Sequence, residues 1–119
     1  MEIIRKGMGT PNLITSDGPE ELETILPARQ GSGLKFSLVR FINGGRTNWH
    51  RHPGEQILYI LEGEGRAGNE TQEWADLKPG DLIYAAPGEK HWHGAMPACS
   101  LTHISIITVG APEWFGPVE

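Results

Sequence analysis

Glycine and proline interrupt this chain so often that long helices have no room to form. Gly 16 and Pro 9 make up about a fifth of the 119 residues, well above ordinary usage. Between these punctuators lie short β-rich runs. Leu34 to Ile42 ends at Asn43-Gly44-Gly45, Thr47 to His52 stops at Pro53-Gly54, and the strongly apolar Gln56 to Leu61 closes on Glu62-Gly63-Glu64-Gly65. Shorter candidates follow around 66–67, 73–77, 82–85 and 91–94, and Ser100 to Val109 is the last long one. Short strands at this spacing predict an antiparallel sandwich or barrel rather than βαβ units. The first 33 residues carry less pattern. Gln30-Gly31-Ser32-Gly33 reads as a loop. Asp17 with Glu20 three residues on reads as a helix start, so one short helix is expected near residues 17–24.

A chain of this length supports one core, so residues 1–119 are expected to form a single domain. Lys+Arg 10 against Asp+Glu 15 gives a formal charge of -5. That argues against nucleic acid and anionic membrane surfaces, which select basic patches. One cysteine, Cys99, excludes an intrachain disulfide and fits a reducing compartment. The opening residues hold no apolar run long enough for a signal peptide, and no stretch of about 18 apolar residues occurs anywhere. The expectation is a small cytoplasmic protein.

All five histidines lie between positions 50 and 103. His50 and His52 are two apart on a predicted strand, so both leave the same face, about 7 Å apart at Cα. His91 and His93 repeat the arrangement on another strand. Two such pairs, each beside a Pro-Gly turn, point to a bound metal, since imidazoles so placed converge on one ion at about 2.0–2.1 Å. Gln56 opens the next strand, where its amide oxygen can reach the same centre.

These residues resemble a known family. Gly44, five residues, His50-Arg51-His52, three residues, Gln56, six residues, Gly63 follows the first cupin motif (44–63). Gly80, with Gly88 and His91 downstream, follows the second (80–95). Gln56 stands where most cupins carry a metal-binding glutamate, Ala86 replaces a proline and Ala95 an asparagine. The resemblance implies an all-β, cupin-type jelly-roll antiparallel barrel with at most one short helix. It implies a metal site of His50, His52, Gln56 and His91, with His93 and His103 as polar groups beside it. Homodimers are common in such proteins, and Leu34, Phe36, Leu38 and Trp49 would need cover. The block Ala86 to Ala95, followed by Thr102-His103-Ile104, is similar to a narrower group that includes manganese-dependent hydroxynitrile lyases. Ile107 departs from that group, whose lyases carry a polar glutamine there.

Three neutral imidazoles and a neutral amide leave the metal's +2 charge uncompensated, which favours Lewis-acid chemistry. A mixed N/O set with open positions suits Mn, Fe, Ni, Cu or Zn, with Mn the first choice by resemblance. Three functions remain open. In a C–C lyase acting on cyanohydrins or carbonyls, His103 or His93 would take the hydroxyl proton. In an oxygenase, the open positions would take substrate and O₂. In a binding module, the cavity would hold a small carboxylate or carbonyl compound without reaction. Ser37, Val39 and Ile107 are read as shaping the substrate pocket. Lys90 reads as a solvated loop residue with a possible part in steering an anion. Trp49, Arg51 and Trp92 alternate away from the ligands and read as packing residues. Cys99, without basic neighbours in sequence, reads as structural.

Overall fold

Alternation of inward and outward side chains, the signature expected of a half-buried strand, runs through the centre of the molecule. From Gln56 to Ile60 every second residue is buried, and from Leu101 to Ser105 the same holds. In a computed structural model the described residues are 1–5, 10–12, 16–17, 20–26, 33–72, 74–108 and 110–118. They form thirteen strands and no helix: β1 Thr10–Asn12, β2 Ser16–Asp17, β3 Glu20–Leu26, β4 Lys35–Phe41, β5 Arg46–Thr47, β6 His50–Arg51, β7 Gln56–Gly63, β8 Gly65–Asn69, β9 Ala75–Leu77, β10 Leu82–Ala85, β11 His91–Ala95, β12 Leu101–Ile107 and β13 Glu113–Trp114. One antiparallel sheet has the order β1-β3-β4-β12-β7-β10, and the other runs β13-β6-β11-β5-β2, with β8 joining β11 to β9. The sheets face one another as a jelly-roll barrel.

The short helix expected near residues 17–24 is corrected to strand. Asp17 lies in β2, and β3 pairs with β4 from Glu20↔Phe41 to Leu26↔Phe36. A two-turn helix closes few internal hydrogen bonds for its nucleation cost. As a strand, the same backbone has β1 on one side and β4 on the other, and the β-branched Thr24 and Ile25 suit it. Residues 18–19 of that stretch, residues 30–32 of the expected loop, and the outer ends of two expected strands at Glu73 and Val109 lie outside the described residues.

Register decides what lines the barrel. Across β4, β12 and β7 the inward rows are Phe41–Leu101–Gly63, Val39–His103–Ile60, Ser37–Ser105–Leu58 and Lys35–Ile107–Gln56. A bulge in β7 beside Thr102 and His103 inserts Leu61 as an unpaired residue. Without it, His103 would oppose Leu61, and Gln56 would turn outward. The rows grade from apolar to polar. Val39, Phe41, Ile60, Leu77, Ala95 and Leu101 form the core at one end, with Ala67 and Ile83 against it. Burying each large side chain there contributes about 1.5–3 kcal/mol. The histidines occupy the other end.

Candidate metal centre

Two turns and one central strand set the histidines. Ala86-Pro87-Gly88-Glu89 closes with Glu89 N–H donating to Ala86 O at 3.1 Å, and Gly88 takes a φ of 77°. Proline second and glycine third are what a type II turn requires. The turn is tied down twice more. Glu89 accepts from Ala86 N–H at 2.9 Å and from Asn69 Nδ2 at 2.8 Å, bonds that hold its carboxyl below the usual range. Gly88 N–H donates to the carbonyl of His52 at 2.8 Å, coupling the turn before β11 to the loop after β6. In β11 every residue is buried. His91 pairs with His50 on one side and Asn69 on the other. Gly94 has no room for a side chain, since a Cβ there would lie 2.3 Å from Arg46 Cβ and 2.5 Å from its Cα. That close approach of β5 keeps β11 in place.

The ring nitrogens of His50, His91 and His93 lie within 4.8 Å of one another, a buried triad able to hold a metal ion. His50 Nδ1 donates to the carbonyl of Asn48 at 2.9 Å, and His91 Nδ1 donates to that of Glu89 at 2.8 Å. Each bond fixes the tautomer that leaves Nε2 with a free lone pair, the usual arrangement behind a metal-ligating histidine. Gln56 Nε2 donates to Ser105 Oγ at 3.0 Å, which turns Oε1 toward His91 Nε2 at 2.9 Å. Two lone pairs at that distance repel unless a cation lies between them. Cis donors at about 2.1 Å from one metal stand about 3.0 Å apart, so the observed spacing fits a shared ion.

Burial keeps the rings neutral, as metal binding requires. His50 is pushed down to about 3 by burial and then by the charge of His91, and His52 to about 4 chiefly by burial. Burial also lowers His91, against the pull of its Glu89 bond. His93 lies well below its ordinary value through burial and repulsion from the other histidines. His103 is pushed down to about 4 by burial. Among the described residues, the buried side-chain atoms without a hydrogen-bond partner include both ring nitrogens of His52, Nδ1 of His93 and Nε2 of His103. Each such atom costs about 1–3 kcal/mol. Their grouping at one end of the barrel marks a place built for a ligand rather than for stability.

A cavity of about 70 Å³ opens there, lined by His50, His52, Gln56, His93, His103, Ser37, Val39 and Ile107, among others. The candidate ligands and pocket residues from the sequence therefore meet. His91 reaches the same place through Gln56. His52 is not in that triad, but its ring centre lies 5.1 Å from that of His50 and 5.7 Å from that of His91, as near as the ring of His93 at 5.4 and 5.9 Å. His93 sits edge-on to His103 at 5.1 Å.

Lys90 faces away from this cavity, its ammonium over the rings of Trp49 and Phe115 at 5.6 and 4.5 Å. Trp92 is buried on that same outer face, and Arg51 pairs with Glu113 at 2.8 Å. A wider groove of about 720 Å³ runs there, between Trp49, Trp74 and Trp92. No histidine lines it. Cys99 donates to Glu64 at 3.3 Å, and that carboxylate raises its pKa, so it is no activated thiol.

Other cavity residues, Thr47 among them, were not read as such from the sequence. Trp114 lies 4.7 Å from the His50 ring because β13 pairs with β6, and Pro112 adjoins it in the wall. Lys35 lines the opposite wall. Its signal was available, since Lys35 shares the parity of Ser37 and Val39 along β4. Ser105 had the matching signal on β12, two residues from His103.

Comparison with known proteins follows the same lines. The chain is 36% identical over 109 residues to the (R)-mandelonitrile lyase of Granulicella tundricola, covering 89% of this chain and 83% of that protein. The structure of a cupin-like protein from Thermotoga maritima superposes with a TM-score of 0.85 at 32% identity, over 100% of this chain and 92% of the other. A predicted oxalate decarboxylase from the same organism shares the fold, with a TM-score of 0.77 at 24% identity over 92% of this chain and all of the other. Residues 37–104 match the cupin domain. With both motifs, the jelly roll and the buried histidine triad inside that span, the chain belongs to the cupin family.

Proposed function

We propose that the protein is a metal-dependent C–C lyase of the hydroxynitrile type, and that His50, His52, Gln56 and His91 hold the metal. The observation that carries the reading is a wholly neutral donor set beside an unpartnered, neutral His103 nitrogen. The 36% identity to a mandelonitrile lyase supports it. A divalent ion held there, manganese first and Fe, Ni, Cu or Zn as alternatives, supplies Lewis acidity that no ligand charge offsets. His103 Nε2 then accepts the hydroxyl proton of a cyanohydrin. The C–C bonding pair leaves with cyanide, the carbonyl forms, and the proton passes from His103 to cyanide. His93, edge-on to His103, is the second candidate for that proton. Ser37, Val39 and Ile107 shape the pocket, and Ser105 orients the Gln56 amide. We further read the chain as one domain over residues 1–119 and as a cytoplasmic homodimer.

The test is a metal screen under argon. Protein loaded separately with Mn, Fe, Cu or Zn is given mandelonitrile and an aliphatic cyanohydrin, and aldehyde is measured. Release without oxygen, best with Mn and lost in His103→Ala, is the expected result. Retention in His103→Ala with loss in His93→Ala moves the base to His93. Turnover only in air, with Fe or Cu, replaces the lyase by an oxygenase. No turnover under any condition, with metal still bound, leaves a binding protein.

A further inference from the structure

We propose that Lys35 forms an anion subsite in the metal cavity, and that the molecule bound there is a short hydroxy or oxo compound carrying a carboxylate. The inference rests on the metal centre of the preceding reading, not on its lyase step. Among the described residues, fourteen line the cavity, and none of these is Asp or Glu. Lys35 is the lone Lys or Arg among them. In a chain of formal charge -5, a wall without carboxylates beside an ammonium group is a local reversal of sign. A divalent metal with neutral ligands deepens that reversal, and low-dielectric walls focus such a field on an incoming anion.

Register puts Lys35 where it can act. It stands in one inward row with Ile107 and Gln56, so its side chain shares the cavity with the metal-facing amide. Ser37, two residues along β4 on the same face, adds a hydroxyl that lies in register with Ser105. Among the described residues Lys35 has no carboxylate partner, so its charge is available to a ligand.

Size narrows the class further. At about 70 Å³ the cavity is well below the roughly 300–1,000 Å³ of pockets for drug-sized ligands, which favours a small molecule. A short acid fits between Lys35 and the metal.

The experiment measures equilibrium binding of lactate and of the neutral lactamide to the manganese-loaded protein by calorimetry, with metal content checked in every sample. Wild type should bind lactate at least tenfold more tightly than lactamide. Lys35→Met should weaken lactate about tenfold or more, as loss of a charge-assisted hydrogen bond does, and leave lactamide and metal content unchanged. Lys35→Arg should keep most of the preference. Equal binding of the two ligands, an undiminished preference in Lys35→Met, or binding of neither overturns the subsite. Because no turnover is read, the subsite can fail while cyanohydrin cleavage under argon stands, and the reverse.

Discussion

Replacing His103 by leucine should remove about 2 kcal/mol of acid sensitivity from the metal-free protein between pH 7 and pH 5. The His103 side chain is 0% exposed and its pKa is pushed down to about 4. The unfolded chain takes up a proton near the ordinary value of 6.5, and the native state does not do so until about 4. Between these values the unfolded state holds more protons, so stability falls as pH falls. The difference amounts to about 2 kcal/mol at pH 5 and is nearly gone at pH 7. His50 and His52, pushed down to about 3 and 4, act in the same direction. Together the three make a loss of roughly 6 kcal/mol by pH 5, comparable to the whole stability of a small domain. Leucine suits the site, which has Phe41 on one side and Val39 and Ile60 in register, and it deletes an orphaned nitrogen. The assay is urea unfolding followed by tryptophan fluorescence after chelation, since bound metal holds the imidazoles neutral and would mask the effect. Equal losses between pH 7 and pH 5 in wild type and His103→Leu would refute the reasoning.

Gln56→Glu should tighten metal binding about tenfold or more, equivalent to roughly 1.4 kcal/mol, and slow cyanohydrin cleavage, because a carboxylate offsets part of the ion's charge; unchanged affinity in a chelator competition argues against direct ligation. Light scattering at micromolar concentration should give twice the 13.1 kDa chain mass, since Leu34, Tyr59, Leu82 and Tyr84 are all more than two-fifths exposed, and a monomeric mass would refute the dimer.

Much of this architecture was legible because turn chemistry and alternation are local. Pro87-Gly88 announces the turn before β11, and the parity of β4 turns Ser37, Val39 and Phe41 inward, as observed. What failed was non-local. Asp17 and Glu20 carry a true capping pattern, but β4 offers β3 a ladder that two helical turns cannot match. The Leu61 bulge leaves no mark on the sequence, yet it decides that Gln56 and His103 share one wall. Lys90 illustrates the limits of proximity along the chain. It precedes His91, so its side chain leaves the opposite face together with Trp92, and it ends over Trp49 and Phe115. Lys35, fifteen residues from the nearest histidine in sequence, is the cation that register brings into the cavity.

The same register explains why stability and function divide the barrel between them. Each inward row runs through β4, β12 and β7, and moving two residues along exchanges Phe41–Leu101 for Val39–His103 and then for Ser37–Ser105. The apolar rows provide the burial that holds the sheets together. The polar rows cost free energy through desolvated imidazoles and orphaned nitrogens. Such a cost is tolerable only where a ligand recovers it, and the buried triad of His50, His91 and His93 is able to hold a cation that would do so. A cation held there would make that end of the barrel positive in an acidic chain, with Lys35 adding to the field and, among the described lining residues, no carboxylate opposing it. The donors that make the empty barrel acid-sensitive are thus the groups that prepare it for a metal and, through the metal, for an anion.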